Sequence, residues 1–306
     1  MEDYNKIIES LGVKYNKSKT IKVIQTVTNE SYYDVENTIL LVNKGEIRFG
    51  KDNLVVQEGA ILFIPGGRSI SITYGTGKPA KYSSEIPSGK KDAYLQSIDY
   101  SEVSFSTQDN FSYLTFESKV FDSVNFFASL DIEPFIIKNE KIAGLIRVIL
   151  EEAESQVAGS ERIVKLMTDY LVVELIRYVI NNQLFVEQLA TNVTYFKDPR
   201  LISIFTYIKE NLEGDLSNKV LSNVANVSED YVGQYFKMLT GINPQDYIEY
   251  QRMERAVHLL RTSKRSIREI GREVGYKDTA YFCRRFKMMF GIPAGKMRKR
   301  ESLMNL

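Results

Sequence analysis

Thr279, Ala280, Cys283, Arg284 and Lys287 recur at the spacing of one helix face, and Phe282, Phe286 and Phe290 mark the opposite, apolar face of the same helix. A helix that buries phenylalanines and presents a hydroxyl, a methyl, a thiol, a guanidinium and an ammonium has the chemistry to meet the edges of base pairs and the phosphates beside them. Arg284 is read as a bidentate donor to guanine, a contact worth roughly 1–3 kcal/mol of discrimination. The alternatives for it are a phosphate contact or a solvated side chain. Lys287, a flexible point charge, is read as a phosphate clamp. Cys283 is read as a small residue against a thymine methyl or a phosphate; the alternative is an oxidation sensor beside Arg284 and Arg285.

The same face occurs once more, 50 residues earlier. Residues 228–242 align without gaps on residues 278–292, with six of fifteen positions identical: Tyr231/Tyr281, Phe236/Phe286, Lys237/Lys287, Met238/Met288, Gly241/Gly291 and Ile242/Ile292. In the first copy Ser228 is the expected N-cap, Val232 and Phe236 point inward, and Glu229, Asp230, Gly233, Gln234 and Lys237 point out. Lys237 is read as a phosphate clamp like Lys287. The two acidic residues have the wrong sign for DNA. Their readings are electrostatic support of a helix N-terminus, or a cytosine contact or loose docking by the first copy.

Elements must exist to hold these faces. Val220 and Val224 in the first copy, and Ile267, Ile270 and Val274 in the second, predict a short helix before each; Gly275 permits a tight turn and Asp278 caps the recognition helix after it. Each copy is thus a helix-turn-helix. Between them Asn243 and Pro244 open a helix to about Arg261, about 27 Å long at 1.5 Å per residue, a spacer commensurate with the roughly 34 Å between successive major-groove faces.

With its leading helix from Arg255 to Leu260, the second copy, Ile267-Arg-Glu-Ile-Gly-Arg-Glu-Val-Gly-Tyr276 through Phe282 and then Phe286-Lys-Met-Met-Phe-Gly291, resembles the AraC family of bacterial transcription regulators over about the last 100 residues. Three positions depart from that family's pattern: Gly271 stands for a small alanine, Pro293 lies one position early relative to Pro244, and Met297 replaces an aromatic residue. The resemblance implies a sequence-specific regulator on double-stranded DNA, a cupin-like sensor barrel ahead of the DNA-binding part, and helices after the barrel that pair two subunits. An activator role with RNA polymerase as a further partner is also expected, although no residue separates activator from repressor.

The remaining sequence fits two domains: a mostly-β, cupin-like region followed by helices, then an all-α tandem helix-turn-helix domain. The expected divisions are 1–138, 139–197 and 198–306. Charge divides the same way. Residues 252–300 hold 15 basic and 4 acidic side chains, residues 201–251 hold 3 and 7, and residues 1–200 carry a net −5. Short β-branched and aromatic runs broken by Gly, Asn, Asp and Pro between 21 and 130 predict a barrel or sandwich, with a loop at 75–91. Residues 139–182 change to helical period, in two helices broken near Gly159, read either as a lid on the barrel or as a homodimer seam.

One cysteine and one histidine, Cys283 and His258, exclude an internal disulfide, a thiolate zinc site and a multi-histidine metal site, and no cofactor is expected. His258 is read as linker-helix surface or packing. No apolar run suits a membrane span, and Met1-Glu2-Asp3-Tyr4 lacks the order of a secretion signal, so the expected location is the cytoplasm. Arg48 and Arg68 are candidates for an anionic effector in the barrel mouth. Two other readings stand beside an effector-controlled regulator: a metal-free cupin-type enzyme tethered to DNA, and a constitutive regulator whose β domain only dimerises.

Overall fold

A computed structural model describes residues 2–82, 92–120, 124–130, 132–189, 198–240 and 243–299. After helix α1 (Glu2–Glu9) come strands β1 (Leu11–Val23), β2 (Val27–Tyr33), β3 (Asn37–Lys44), β4 (Glu46–Phe49), β5 (Leu54–Gln57), β6 (Ile61–Ile64), β7 (Ser69–Tyr74), β8 (Ala80–Tyr82), β9 (Leu95–Ile98) and β10 (Asn110–Val120). The chain continues through β11 (Val124–Asn125), α2 (Phe126–Ser129), β12 (Phe135–Ile137), α3 (Glu140–Glu154) and α4 (Ser160–Asn181).

The strands form two sheets, ordered β12-β6-β3-β10-β1-β9 with β11 on β10, and β5-β4-β7-β2-β8. Alternation decides which side chains meet. Leu40 lies opposite both Leu62 and Tyr113, and Val42 opposite Phe111, so these project to one face. They join Ile47, Phe49, Ile72 and Tyr74 of the other sheet in one core, where Tyr74 stacks on Phe111 with ring centroids 4.9 Å apart. The β region is therefore two sheets sharing an interior. Within the expected loop, residues 80–82 pair parallel with β2, while residues 83–91 lie outside the described residues.

The two expected helices are α3 and α4, with Asn139 capping α3 through the Ile142 amide. Ile142, Ile146 and Ile149 are buried as their period requires. Of the stripe Ile163, Leu166, Met167, Tyr170 and Leu171 that the helical period predicts for α4, only Leu171 is buried: Ile163, Leu166 and Tyr170 are 38%, 47% and 38% exposed, and Val164, Thr168, Val172 and Leu175 are buried with Leu171. The apolar residues of α4 thus lie on two faces.

By internal contacts the chain divides into two compact units, one of residues 13–118 and 132–184, the other of residues 1–12, 119–131 and 185–300. The second unit holds the C-terminal helices: α5 (Pro199–Glu210), α6 (Asn218–Ala225), α7 (Glu229–Thr240), α8 (Pro244–Thr262), α9 (Ile267–Glu273), α10 (Thr279–Phe290) and α11 (Ala294–Lys299). No helix among the described residues is long and apolar enough to cross a membrane.

Candidate nucleic-acid interface

Helices α6 and α7 are the first helix-turn-helix, α9 and α10 the second, and α8 joins them. Helix α9 opens with a reciprocal cap in which Ser266 accepts from the Glu269 amide and Glu269 accepts from the Ser266 amide. Ile270 and Val274 are buried, while Ile267, expected on the same stripe, is only half-buried. Gly275 turns the chain at φ 90°, and the Asp278 side chain accepts from the Tyr281 amide to begin α10. Phe282, Phe286 and Phe290 are buried and contact ring to ring along the helix, at 5.7 and 4.5 Å between centroids.

That inward anchorage leaves Ala280, Arg284 and Lys287 exposed and Thr279 and Cys283 half-buried on the remaining surface. The Arg284 guanidinium lies 5.9 Å from the centroid of the Tyr281 ring, a cation–π contact that limits where its donors point. In the first module Val232 and Phe236 are buried, together with Tyr235. Ser228, Glu229, Asp230, Gln234 and Lys237 are exposed and Gly233 is half-buried. The amides of Tyr231 and Val232 bond to the Ser228 carbonyl, placing Ser228 at the start of α7. Glu229 and Asp230 occupy the first turn, where negative charge favours a helix N-terminus.

Two of the three departures from the resembled pattern, Gly271 and Met297, have local explanations. A Cβ on Gly271 would stand 3.3 Å from the Phe282 ring, so glycine leaves room for that ring against α9. Met297 is fully buried, so a flexible thioether fills the core position expected of an aromatic ring. At α8, Pro244 takes the first helical turn, but Asn243 makes no side-chain cap: its amide donates to the Asp246 carboxylate at 3.1 Å. His258 is on the exposed surface of α8.

Several residues to which sequence reasoning gave no role carry one in the structure. Arg285, next to Arg284, does not share its surface role; it pairs with the carboxylate of Glu249 on α8. Tyr231 and Tyr281, identical between the copies, are 43% and 48% exposed, so identity at an exposed position was the signal that set them apart from core residues. Arg268, Arg272 and Lys277 add exposed cations to the second module. In the other unit, Arg48 donates to the carbonyls of Gly75 and Gly77 and pairs with Glu46 at 3.3 Å, and Arg68 pairs with Glu133 at 3.4 Å. Both candidate effector arginines already have protein partners.

Comparison with known proteins agrees with this geometry. A family model described as a helix-turn-helix domain matches residues 221–300. The chain is similar to an uncharacterised HTH-type transcriptional regulator of Haemophilus influenzae, 24% identical over 276 residues and 86% of each chain. It is also similar to the lactose operon transcription activator of Staphylococcus xylosus, 30% identical over 99 residues, 32% of this chain and 36% of that one. In fold it is similar to ToxT of Vibrio cholerae, with a TM-score of 0.52 at 12% identity over 97% of this chain and 98% of that one. ToxT has also been solved with an unsaturated fatty acid bound. Two helix-turn-helix modules on one connecting helix, following a mostly-β region of two sheets in the sequence, make this chain a DNA-binding transcription regulator, with double-stranded DNA as its partner.

Proposed function

We propose that α7 and α10 enter successive major grooves of one duplex, and that a signal received by the β region controls this binding. The observation that carries the first part is that one compact unit presents two helices, each anchored by buried aromatic residues and each offering polar side chains outward. In the second module Thr279, Ala280, Cys283 and Arg284 meet base edges and Lys287 a phosphate. In the first, Ser228, Asp230, Gly233 and Gln234 face the groove and Lys237 a phosphate. Because residues 252–300 are strongly basic and 201–251 acidic, the second module supplies most of the affinity. Gel-shift titration over a range of salt tests this: the Lys287→Ala protein should show a smaller salt slope than the unaltered chain, and unchanged slopes for both Lys237→Ala and Lys287→Ala contradict it.

The chain works in the cytoplasm through binding rather than turnover, as a homodimer through residues 139–182, and contacts RNA polymerase from its promoter site. Support for the dimer is the exposed stripe Ile163, Leu166 and Tyr170 on α4. The functional division is 1–138 for sensing, 139–197 for pairing and linking, and 198–306 for DNA.

Support for an effector is the set of hydroxyls on Tyr74, Tyr113 and Thr115, fully buried without a protein hydrogen-bond partner among the described residues. Burial pushes both phenols well above their ordinary pKa, so they remain neutral donors. They suit a small molecule with acceptor oxygens. The aromatic packing around them, with Tyr32, Phe49 and Phe111, favours instead a constitutive β domain that only dimerises. Thermal unfolding of the full chain against a panel of small carboxylates and carbonyl compounds separates the two: stabilisation lost in a Tyr74→Phe/Tyr113→Phe protein supports the effector, and no stabilisation by any of them supports the constitutive reading.

A further inference from the structure

One face of α8 touches both helix-turn-helix modules. Gln245, Glu249 and Arg252 are spaced by four and three residues, which stacks them on that face. Gln245 donates to the Leu216 carbonyl at 2.9 Å. Arg252 donates through Nε to the Leu212 carbonyl at 2.8 Å and through Nη2 to the Gly214 carbonyl at 3.0 Å. These three carbonyls belong to the loop between α5 and α6, which leads directly into the first module.

The second module meets the same face. The Arg252 guanidinium is 5.9 Å from the centroid of the Tyr276 ring, and the Tyr276 hydroxyl donates to Glu249 at 3.3 Å. Both oxygens of the Glu249 carboxylate take the guanidinium of Arg285 from α10, Nε donating to the oxygen that also accepts from Tyr276 and Nη2 to the other. The second module also touches that loop directly. A Cβ at Gly275 would stand 2.6 Å from the Leu212 carbonyl oxygen and 2.7 Å from Arg252 Cζ, so the α9–α10 turn lies against the α5–α6 loop with no room for a side chain.

We propose that Glu249 and Arg252 are positioning residues that fix the separation and rotation of α7 relative to α10, and thereby determine the spacing between two DNA boxes that this protein accepts. A base-pair step rotates the duplex by about 34° and lengthens it by about 3.4 Å, given roughly 10.5 base pairs in a turn of about 34–36 Å. Two recognition helices on a rigid joint match one spacing; the same helices on a loose joint accept several. Arg252 holds the loop into the first module by two carbonyls and the second module by an aromatic face, and Glu249 holds the second recognition helix itself. Neither residue is on the DNA-reading faces, so their influence on DNA passes through position alone.

The joint borders an open cleft of about 930 Å³ lined by residues of both modules, so shortening Arg252 opens no enclosed cavity. The inference rests on both modules binding DNA as proposed above, and its test separates the two. The full-length protein is first used to select a preferred duplex from random DNA, and its affinity is then measured for that duplex and for versions with one base pair added or removed between the boxes. A preferred duplex with a single box overturns the two-groove reading itself.

With two boxes, the unaltered protein is expected to lose roughly tenfold in affinity when the spacing changes by one base pair, a cost comparable with one mismatched base pair. Arg252→Ala and Glu249→Gln should reduce that loss to about threefold or less, while the base preference within each box stays the same. Arg252→Lys, which keeps the charge but not the paired donors, should behave like Arg252→Ala. A weakening of Arg252→Ala and Glu249→Gln by the same factor on every spacing, or an undiminished spacing penalty in both, overturns the proposal. Circular dichroism of each variant confirms that a folded protein is being compared.

Discussion

Arg285 on the second recognition helix pairs in a bidentate manner with Glu249 on the connecting helix, whereas its neighbour Arg284 points outward beside Tyr281. Adjacent arginines therefore have different tasks, because successive helix positions diverge by about 100°. Arg284→Ala is expected to relax preference at one position of the DNA site, by roughly 1–3 kcal/mol for the favoured base. Arg285→Ala should lower affinity yet leave the base preference at that position intact. Binding to duplexes carrying all four bases there distinguishes them, and an unchanged profile for Arg284→Ala removes it from the base-reading set.

Lys287 is exposed at the far end of the same face. Lys287→Ala should weaken binding to specific and unrelated DNA by similar factors and reduce the slope of log affinity against log salt by about one. Loss confined to the specific site contradicts a phosphate contact.

The recognition face depends on the aromatic residues behind it. Phe286 is fully buried between Phe282 and Phe290. Truncation to alanine is expected to destabilise the DNA-binding helices by about 3–5 kcal/mol. Asp278→Ala, which removes the cap at the Tyr281 amide, should cost about 1 kcal/mol. Chemical denaturation of the full chain measures both, and an Asp278 effect as large as that of Phe286 would contradict this division of labour.

Asp198 starts α5 by accepting from the Arg200 amide and pairing with the Arg200 guanidinium, which holds its carboxyl at about 2, below the ordinary 3.8. A carboxyl held down in the folded chain stabilises it above the ordinary value, and that contribution is lost as pH falls from about 4 through about 2. The Asp198→Asn protein should therefore lose less thermal stability than the unaltered chain across this window. Parallel declines would show that the pair contributes nothing.

Leu166 sits in the middle of the exposed apolar stripe on α4, at 47% exposure. Leu166→Glu should leave the fold intact, since substitutions at exposed positions usually change stability by less than about 0.5 kcal/mol. It should convert a dimer into a monomer in sedimentation experiments. A dimer that persists in this protein locates the pairing surface elsewhere.

Much of the C-terminal half was legible because its signals are local and doubled. The 50-residue repeat, Asp278 before α10 and phenylalanines at helical spacing needed no distant contact to be interpreted. The joint was not legible. Glu249 and Arg285 are 36 positions apart, and Arg252 and Leu212 are 40 apart, so nothing in either neighbourhood announces the pairing.

In the β region, β3 to β7 and β10 coincide with the β-branched and aromatic runs of the sequence, whereas most of β2, and β12, which lies beyond residue 130, do not. The first ten residues of β1, Leu-Gly-Val-Lys-Tyr-Asn-Lys-Ser-Lys-Thr, do not stand out either, because their lysines dilute the alternation that a half-exposed strand otherwise shows. On α4 the periodicity revealed an apolar stripe but not which apolar face is buried; that is decided by tertiary packing.

Whether one chain reads two successive major grooves is decided by selecting bound duplexes from random DNA with the full-length protein, at low and moderate salt. The structure predicts a motif of two boxes whose centres lie about one helical turn apart, roughly 10–10.5 base pairs, with the stronger box assigned to the second module by its response to Arg284→Ala. Enrichment of a single box unaffected by substitutions in one of the two recognition helices, or of no sequence at either salt concentration, would contradict it.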